Sequence, residues 1–277
     1  MTDETYVHPS AIVEEGAELG RGVRVGPFCH ISSEAVIGDG VELIGHVTIM
    51  GQTTLGAGSQ VYPNAVLGGA PQNFKHKGGP SKLMIGERCV VRESATLHRG
   101  TDTSRGETTV GDDCYFMAYT HVGHDCVVGN HVTMSNYAAL SGHSEIGDYV
   151  ILSGFAAVHQ FVRVGHHAFL GGFAAVVGDV IPYGMAVGDR AKLRGLNVVG
   201  LKRSGMTRSE LMQLRQAYRL LFAPERPVSE NIEIVRSEFP ESPQVSDILD
   251  FLAGREKRHL TVPPRRGGVD DDDDGAE

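Results

Sequence analysis

The stretch "THVGHDCVVGNHVTMSNYAALSGHSEIGDYV", residues 120–150, decides the fold. Val122, Val128, Met134, Leu140 and Ile146 stand six apart, a spacing that is neither the strand period of two nor the helix period of 3.6. Working outward, the same beat runs for twelve apolar residues from Val110 to Val176 and for ten from Val13 to Leu67. A shorter run holds Ile85, Val91 and Leu97. The position two before each marker is small or β-branched (Ala11, Ala17, Val23, Ala35, Val41), and all four cysteines (Cys29, Cys89, Cys114, Cys126) fall in it. Glycine often follows the marker, with Gly111, Gly129, Gly147 and Gly165 recurring every eighteen residues.

Three hexads per eighteen residues predict three short strands joined by tight corners, each turn stacked on the last as parallel strands about 4.8 Å apart. The expected fold is a mainly β protein: a parallel β-helix of triangular section with nine or ten coils. Glycine is expected at corners that need positive φ. Gly is abundant at 36 residues and aromatics scarce at 6%, in keeping with a backbone-dense architecture. Two stretches break the beat and read as loops, 69–82 and 100–109; the second shifts the count by one.

The prism is expected over residues 1–190. Beyond it, Thr207 to Glu210 forms a capping box before Leu211, Leu214, Tyr218 and Leu221. Ser229 is expected to cap a second helix, and a third holds Ile248, Leu249 and Leu252. These make a helical domain over 191–261. Residues 262–277, with the run Asp270 to Asp274, read as a disordered tail that accounts for five charges of a net −9. No signal peptide or transmembrane run is present, so a cytoplasmic location is expected. The cysteines are not in CxxC pairs, against a disulfide framework or zinc ribbon.

The solenoid makes vertical neighbours of residues eighteen apart. His124, Gly142 and Gln160 share one slot, with His121, His143 and His159 beside it. Such a cluster suits solvated surface residues, a zinc site or a general base. His124 precedes Asp125, a base–orienter pair if a corner falls between them. Gly142 would let a substrate reach the backbone and use its N–H as an oxyanion donor. From Arg190 to Arg226 nine basic residues face Glu210 and Glu225 alone, nine minus two leaving +7 in an acidic chain. That patch suits an acidic partner or a phosphorylated substrate. Nucleic acid is disfavoured, because no stacking aromatics interleave the charges.

The stretches "GGAPQNFKHKG", "RESATLHRGT", "THVGHDCVVGN", "AVHQF" and "GLNVVGLKRSG" closely resemble the UDP-N-acetylglucosamine acyltransferase family over about residues 7–255. That family begins lipid A synthesis. The resemblance implies a left-handed β-helix with a C-terminal helical domain, assembled as a homotrimer with active sites between subunits. The implied reaction moves an (R)-3-hydroxyacyl group from acyl carrier protein to the glucosamine 3-position of UDP-N-acetylglucosamine, without metal or organic cofactor. By position, His124 would be the general base, Asp125 its orienter and Gly142 the oxyanion donor. His121, His143, His159 and Gln160 would position the sugar and phosphates, with Asn73, Lys75 and His98 helping. Asn197 and Arg203 would hold the nucleotide, and Gly172 would line the acyl groove. The sequence departs from the family at Asn73, commonly Asp, at Val199, often acidic, and at Ser204, often basic. Asn73 leaves a 3-hydroxyl or a 3-amino acceptor open. A related N-acyltransferase would carry an extra N-terminal domain, whereas this repeat begins by residue 11. A zinc lyase like γ-class carbonic anhydrase and a non-catalytic scaffold are the alternatives from other classes.

Overall fold

A computed structural model describes residues 4–255 and 258–264. The described residues form 28 short strands in three sheets of 11, 9 and 8 strands, here faces I, II and III, parallel except for the last pair of face I. Each strand pairs with the one a full coil away: His121 lies opposite Ala139 and Val122 opposite Leu140. The coil winds left-handed. From Val23 onward the markers point inward and are almost fully buried, as are the residues two before them, including all four cysteines, which are free thiols; in the first coil Val13 and Leu19 are partly buried. Burying one such aliphatic side chain contributes about 1.5–3 kcal/mol, and the repeat does so on each face of coil after coil.

Positive φ falls three places after the marker, and its occupants are seldom glycine along the second half of the prism. Tyr119, Asp125, His131, Tyr137, His143, Tyr149, Phe155, Phe161, His167 and Phe173 all take φ between 56° and 65°. The glycines after the markers have a different task. A methyl group on Gly38 would lie 2.7 Å from the Ala57 backbone nitrogen. These glycines are therefore needed for close approach between coils, and the expectation that they supply the left-handed corners is corrected. The corner aromatics stack instead into outward ladders. Tyr119, Tyr137, Phe155 and Phe173 follow one another at ring-centroid distances of 4.9, 4.7 and 4.9 Å. A left-handed conformation costs about 1–2 kcal/mol at a non-glycine residue, and ring pairs return about 0.5–1.5 kcal/mol each.

The loops span 70–81 and 99–106, between strands Val66–Gly69 and Lys82–Ile85 and between Thr96–His98 and Glu107–Val110. Lys82 pairs with Gln52, thirty residues back, so the first loop adds two whole hexads and keeps the beat. Glu107 pairs with Lys82, twenty-five back, so the second adds seven residues and shifts it by one. Both leave the prism at the corner between faces II and III.

Beyond Val176 the sequence pattern fades, but the chain still forms strands Gly184–Val187 and Lys192–Leu196, an antiparallel pair closing face I. Buried Asp179 accepts a two-pronged pair from Arg163 at 2.9 and 2.8 Å at this end. Four helices follow: α1 (Val198–Arg203), α2 (Arg208–Leu221), α3 (Val228–Glu238) and α4 (Pro243–Ala253). The Thr207–Glu210 capping box is formed. Ser229 caps nothing: α3 starts from Pro227, which presets the first-turn φ without a side-chain cap. After α4 the chain returns to the prism, where the Thr261 N–H donates to Asp179 and the Leu193 N–H to the Val262 carbonyl. The chain is thus anchored through Val262, where the tail was expected to begin. The Asp270 to Asp274 run lies outside the described residues. Among the described residues no helix is long and apolar enough to cross a membrane.

Candidate active site

The site grows from the II/III corner. Residue 124 lies in the turn after the strand His121–Val122, and Asp125 takes φ 59°, turning its side chain back toward its neighbour. His124 Nδ1 lies 2.8 Å from Asp125 Oδ2, with the histidine side chain 12% exposed and the carboxylate fully buried. A buried carboxylate needs donors. Thr101, from the second loop, supplies them: its N–H lies 3.1 Å from Oδ1 and its hydroxyl 2.8 Å from Oδ2. Burial pushes this carboxyl up, but the Thr101 N–H, His124 and the Thr101 hydroxyl outweigh it and hold it below the ordinary carboxylate range. Asp125 is thus kept ionised and the Nδ1 proton of His124 is fixed, leaving Nε2 free to accept.

The first loop brings Asn73 over that nitrogen, with Nδ2 at 3.4 Å from Nε2. The next coil brings Gly142 and His143. A methyl on Gly142 would lie 2.5 Å from His124 Cε1, so only glycine leaves room for the ring. The Gly142 N–H makes no hydrogen bond among the described residues. His143 packs edge-on to His124 at 5.0 Å and stacks on Phe161 at 4.5 Å. Backbone bonds from His143 N to His124 O and from Phe161 N to Gly142 O set 124, 142 and 160 one above another.

His121 lies below, its Nδ1 2.8 Å from Thr96 Oγ1 and its ring edge-on to His98 at 5.0 Å. Burial, then the neighbouring imidazoles, depress the His98 ring to about 4, and its buried Nδ1 has no partner among the described residues. Burial also depresses His121 and His143, so these rings favour the neutral form at pH 7. His159 and Gln160 are exposed one coil higher, lining a cavity of about 250 Å³ that the returning Arg258 and His259 close. The larger cavity, about 400 Å³, lies between face III and α4 and includes none of the predicted site residues.

The corner therefore gathers Asn73, His98, His121, His124, Asp125, Gly142 and His143, with His159 and Gln160 above and Lys75 exposed on the same loop. It does not gather the rest within one chain. Gly172 sits at the I/II corner beside Phe173. Asn197 caps α1, accepting from Gly200 and donating one amide hydrogen to the His167 carbonyl near the III/I corner. Arg203 is exposed in the last turn of α1. Sequence reasoning missed Thr101 as the support of Asp125; its only sign was its place at the start of the beat-shifting loop. The ligand atoms of His124, Asp125 and His143 all lie within 4.8 Å of one another, so this trio could also hold a divalent ion.

A prism of hexads bearing a histidine–carboxylate pair at a corner defines the hexapeptide-repeat transferase class. The sequence model described as "Bacterial transferase hexapeptide (six repeats)" matches residues 107–142, and that described as "Udp N-acetylglucosamine O-acyltransferase; Domain 2" matches 179–261. The acyl-[acyl-carrier-protein]–UDP-N-acetylglucosamine O-acyltransferase of Mesorhizobium japonicum is 60% identical over 274 residues, 99% of this chain and 98% of that one. Its Brucella ovis counterpart is 54% identical over 98% and 99%. The structure of UDP-N-acetylglucosamine acyltransferase from Francisella novicida superposes with a TM-score of 0.90 at 35% identity, over 94% of this chain and 95% of that one. The chain belongs to the UDP-N-acetylglucosamine O-acyltransferase family.

Proposed function

We propose that this chain transfers an (R)-3-hydroxyacyl group from acyl carrier protein to the 3-hydroxyl of UDP-N-acetylglucosamine, the first step of lipid A biosynthesis. The observation that carries the mechanism is the buried Thr101–Asp125–His124 chain under an unpartnered Gly142 N–H. The sugar hydroxyl displaces Asn73 and gives its proton to His124 Nε2 while its oxygen attacks the thioester carbonyl. Asp125 stabilises the imidazolium through Nδ1, and the Gly142 N–H receives the developing oxyanion. Collapse expels the carrier's thiolate, which takes the proton back from Nε2. Neutral His121, His143 and His98, with Lys75, His159 and Gln160, frame the sugar and its phosphates.

The nucleotide would lie against Arg203 and against Asn197, whose amide keeps one hydrogen beyond those used in the cap. The acyl chain would run toward Gly172. Because these residues sit at other corners of the prism, the reading includes a homotrimer whose clefts assemble corners from neighbouring chains. Lys202, Arg203, Arg208, Arg215, Arg219 and Arg226 are exposed, and no carboxylate among the described residues forms an ion pair with them, as docking of an acidic carrier protein requires. The reaction is placed in the cytoplasm, where the two soluble substrates meet.

Zinc chemistry at His124, Asp125 and His143 is not favoured. Relatives at 54–60% identity are named acyl-[acyl-carrier-protein]–UDP-N-acetylglucosamine O-acyltransferases. The test is to incubate the protein with UDP-N-acetylglucosamine, its 3-amino analogue and a ladder of 3-hydroxyacyl carrier proteins, and to weigh the products. A 3-O-acylated nucleotide sugar is expected; absence of any acyl product, or activity that tracks stoichiometric zinc, would refute the reading.

A further inference from the structure

The 70–81 loop reaches His124 from a distance of about fifty residues in sequence, and something must hold it there. Consecutive residues of the second loop divide that work. Thr101 turns inward to Asp125, and Asp102 turns outward to the first loop. Asp102 Oδ1 lies 3.1 Å from His76 Nδ1 and 3.3 Å from the Lys77 nitrogen. Asp102 Oδ2 accepts from the Lys77 N–H at 3.2 Å and from the Gly79 N–H at 2.9 Å. The Asp102 N–H also lies 3.3 Å from His76 Nδ1. Both side chains are mostly covered, at 12% and 19% exposure. The two backbone donors and the imidazole come from a four-residue arc, so one carboxylate pins three points of the loop.

That arc begins three residues after Asn73. Asn73 Oδ1 accepts the Lys75 N–H at 2.9 Å, which closes a local turn and aims Nδ2 at His124. The turn itself sets only the shape of residues 73–75. Buried Pro71 ties the near side of the loop through the Asn73 N–H, and Asp102 holds the far side at 76–79. Gly79 shows how tight it is: an added methyl would stand 2.7 Å from both Cβ and Oδ2 of Asp102.

We propose that Asp102, through His76 and Gly79, is the positioning residue that sets Asn73 opposite His124 Nε2 and so builds the acceptor side of the cleft. This rests on the acyltransferase reading above. Thr101 and Asp102 then govern the two nitrogens of one imidazole, the first through Asp125 on Nδ1, the second through Asn73 on Nε2. Asp102 itself touches no substrate.

The test is a double-mutant cycle on the full chain, with Asp102→Asn, Asn73→Ala and the pair. Turnover is measured with 3-hydroxyacyl carrier protein, and affinity for UDP-N-acetylglucosamine by calorimetry. Asp102→Asn keeps the shape but places an amide where the Gly79 N–H needs an acceptor. It is expected to lower kcat/KM for the sugar nucleotide about 10- to 100-fold, the penalty of a sub-ångström to ångström displacement, and to leave KM for the carrier protein unchanged. In the Asn73→Ala background the same substitution should change kcat/KM by no more than about twofold, because its target is gone. Gly79→Ala, which displaces the carboxylate without removing it, should repeat both results and decides the matter if Asp102→Asn does not fold. Full sugar-side activity in both variants would overturn the proposal, as would losses that add undiminished to that of Asn73→Ala. An unmodified chain that neither binds nor acylates the nucleotide would instead refute the acyltransferase reading, and this inference with it.

Discussion

His124 can act as a base only while Nδ1 keeps its proton and Nε2 does not. The first condition is local: the ionised Asp125, held by Thr101, fixes the Nδ1 proton. Replacing His124 by Ala should therefore lower kcat about 10²- to 10⁴-fold while the melting temperature moves little, since the ring packs on a glycine rather than in the core. Parallel kinetic and thermal measurements check this; a variant within a factor of a few of full activity would remove His124 from the mechanism. A neighbouring buried imidazole, His98, has its own consequence in acid. The unfolded chain binds a proton on the residue 98 ring near pH 6.5, the folded one only near 4. Between those values the unfolded state holds more protons, so stability is complete above about pH 6.5 and declines as the pH falls. The full difference is on the order of 3 kcal/mol. Melting curves from pH 7.5 to 4.5 should show the decline, and His98→Gln should flatten it.

The strand-and-corner unit shows where sequence reading succeeds. Inward markers and the small residues before them are legible because each depends on its own side chain and a fixed period. The tasks of the glycines are not, because they depend on the coil above. Gly38 and Gly40 stand two apart and separate two reasons for glycine. Gly40 has φ 66° with open space around its missing Cβ, so Ala there costs only backbone strain, about 1–2 kcal/mol. Gly38 lacks a positive φ, but a methyl on it meets the backbone of Ala57, which cannot yield without parting two coils. Gly38→Ala is therefore expected to lower the melting temperature more than Gly40→Ala, by overpacking that reaches about 3 kcal/mol. The reverse order would mean that the corner, not the coil spacing, is what glycine protects. The same division holds at the site. His124, Asp125 and Gly142 could be placed in register from spacing alone. Thr101 and Asp102 could not, because they sit on a loop whose path is set by long-range contacts to Asp125 and Gly79. The stacked corner rings were hidden for a related reason: scarce aromatics suggested a molecule with little use for them, whereas they line its edges.

A single prism cannot bring its three corners together, yet the proposed chemistry needs His124 from one, Gly172 from a second and Arg203 from beside the third. The proposed threefold closure would solve this by setting a corner of one chain against a neighbouring chain. Such an arrangement makes a prediction about mixtures. The His124→Ala and Arg203→Ala variants are each expected to lose most of their turnover, the first through the base and the second through the nucleotide. If each cleft takes its base from one subunit and its nucleotide contact from the neighbour, randomly mixed trimers restore some clefts. Each contribution is intact with probability about one half, so about one quarter of wild-type activity should return after co-refolding equal amounts. If one subunit supplies both groups to its own cleft, every cleft in a mixed trimer carries one lesion and no activity returns. Light scattering should give three chains per particle in every sample. A monomer with full activity, or mixed trimers as inactive as their parents, would rule out a cleft shared in this way.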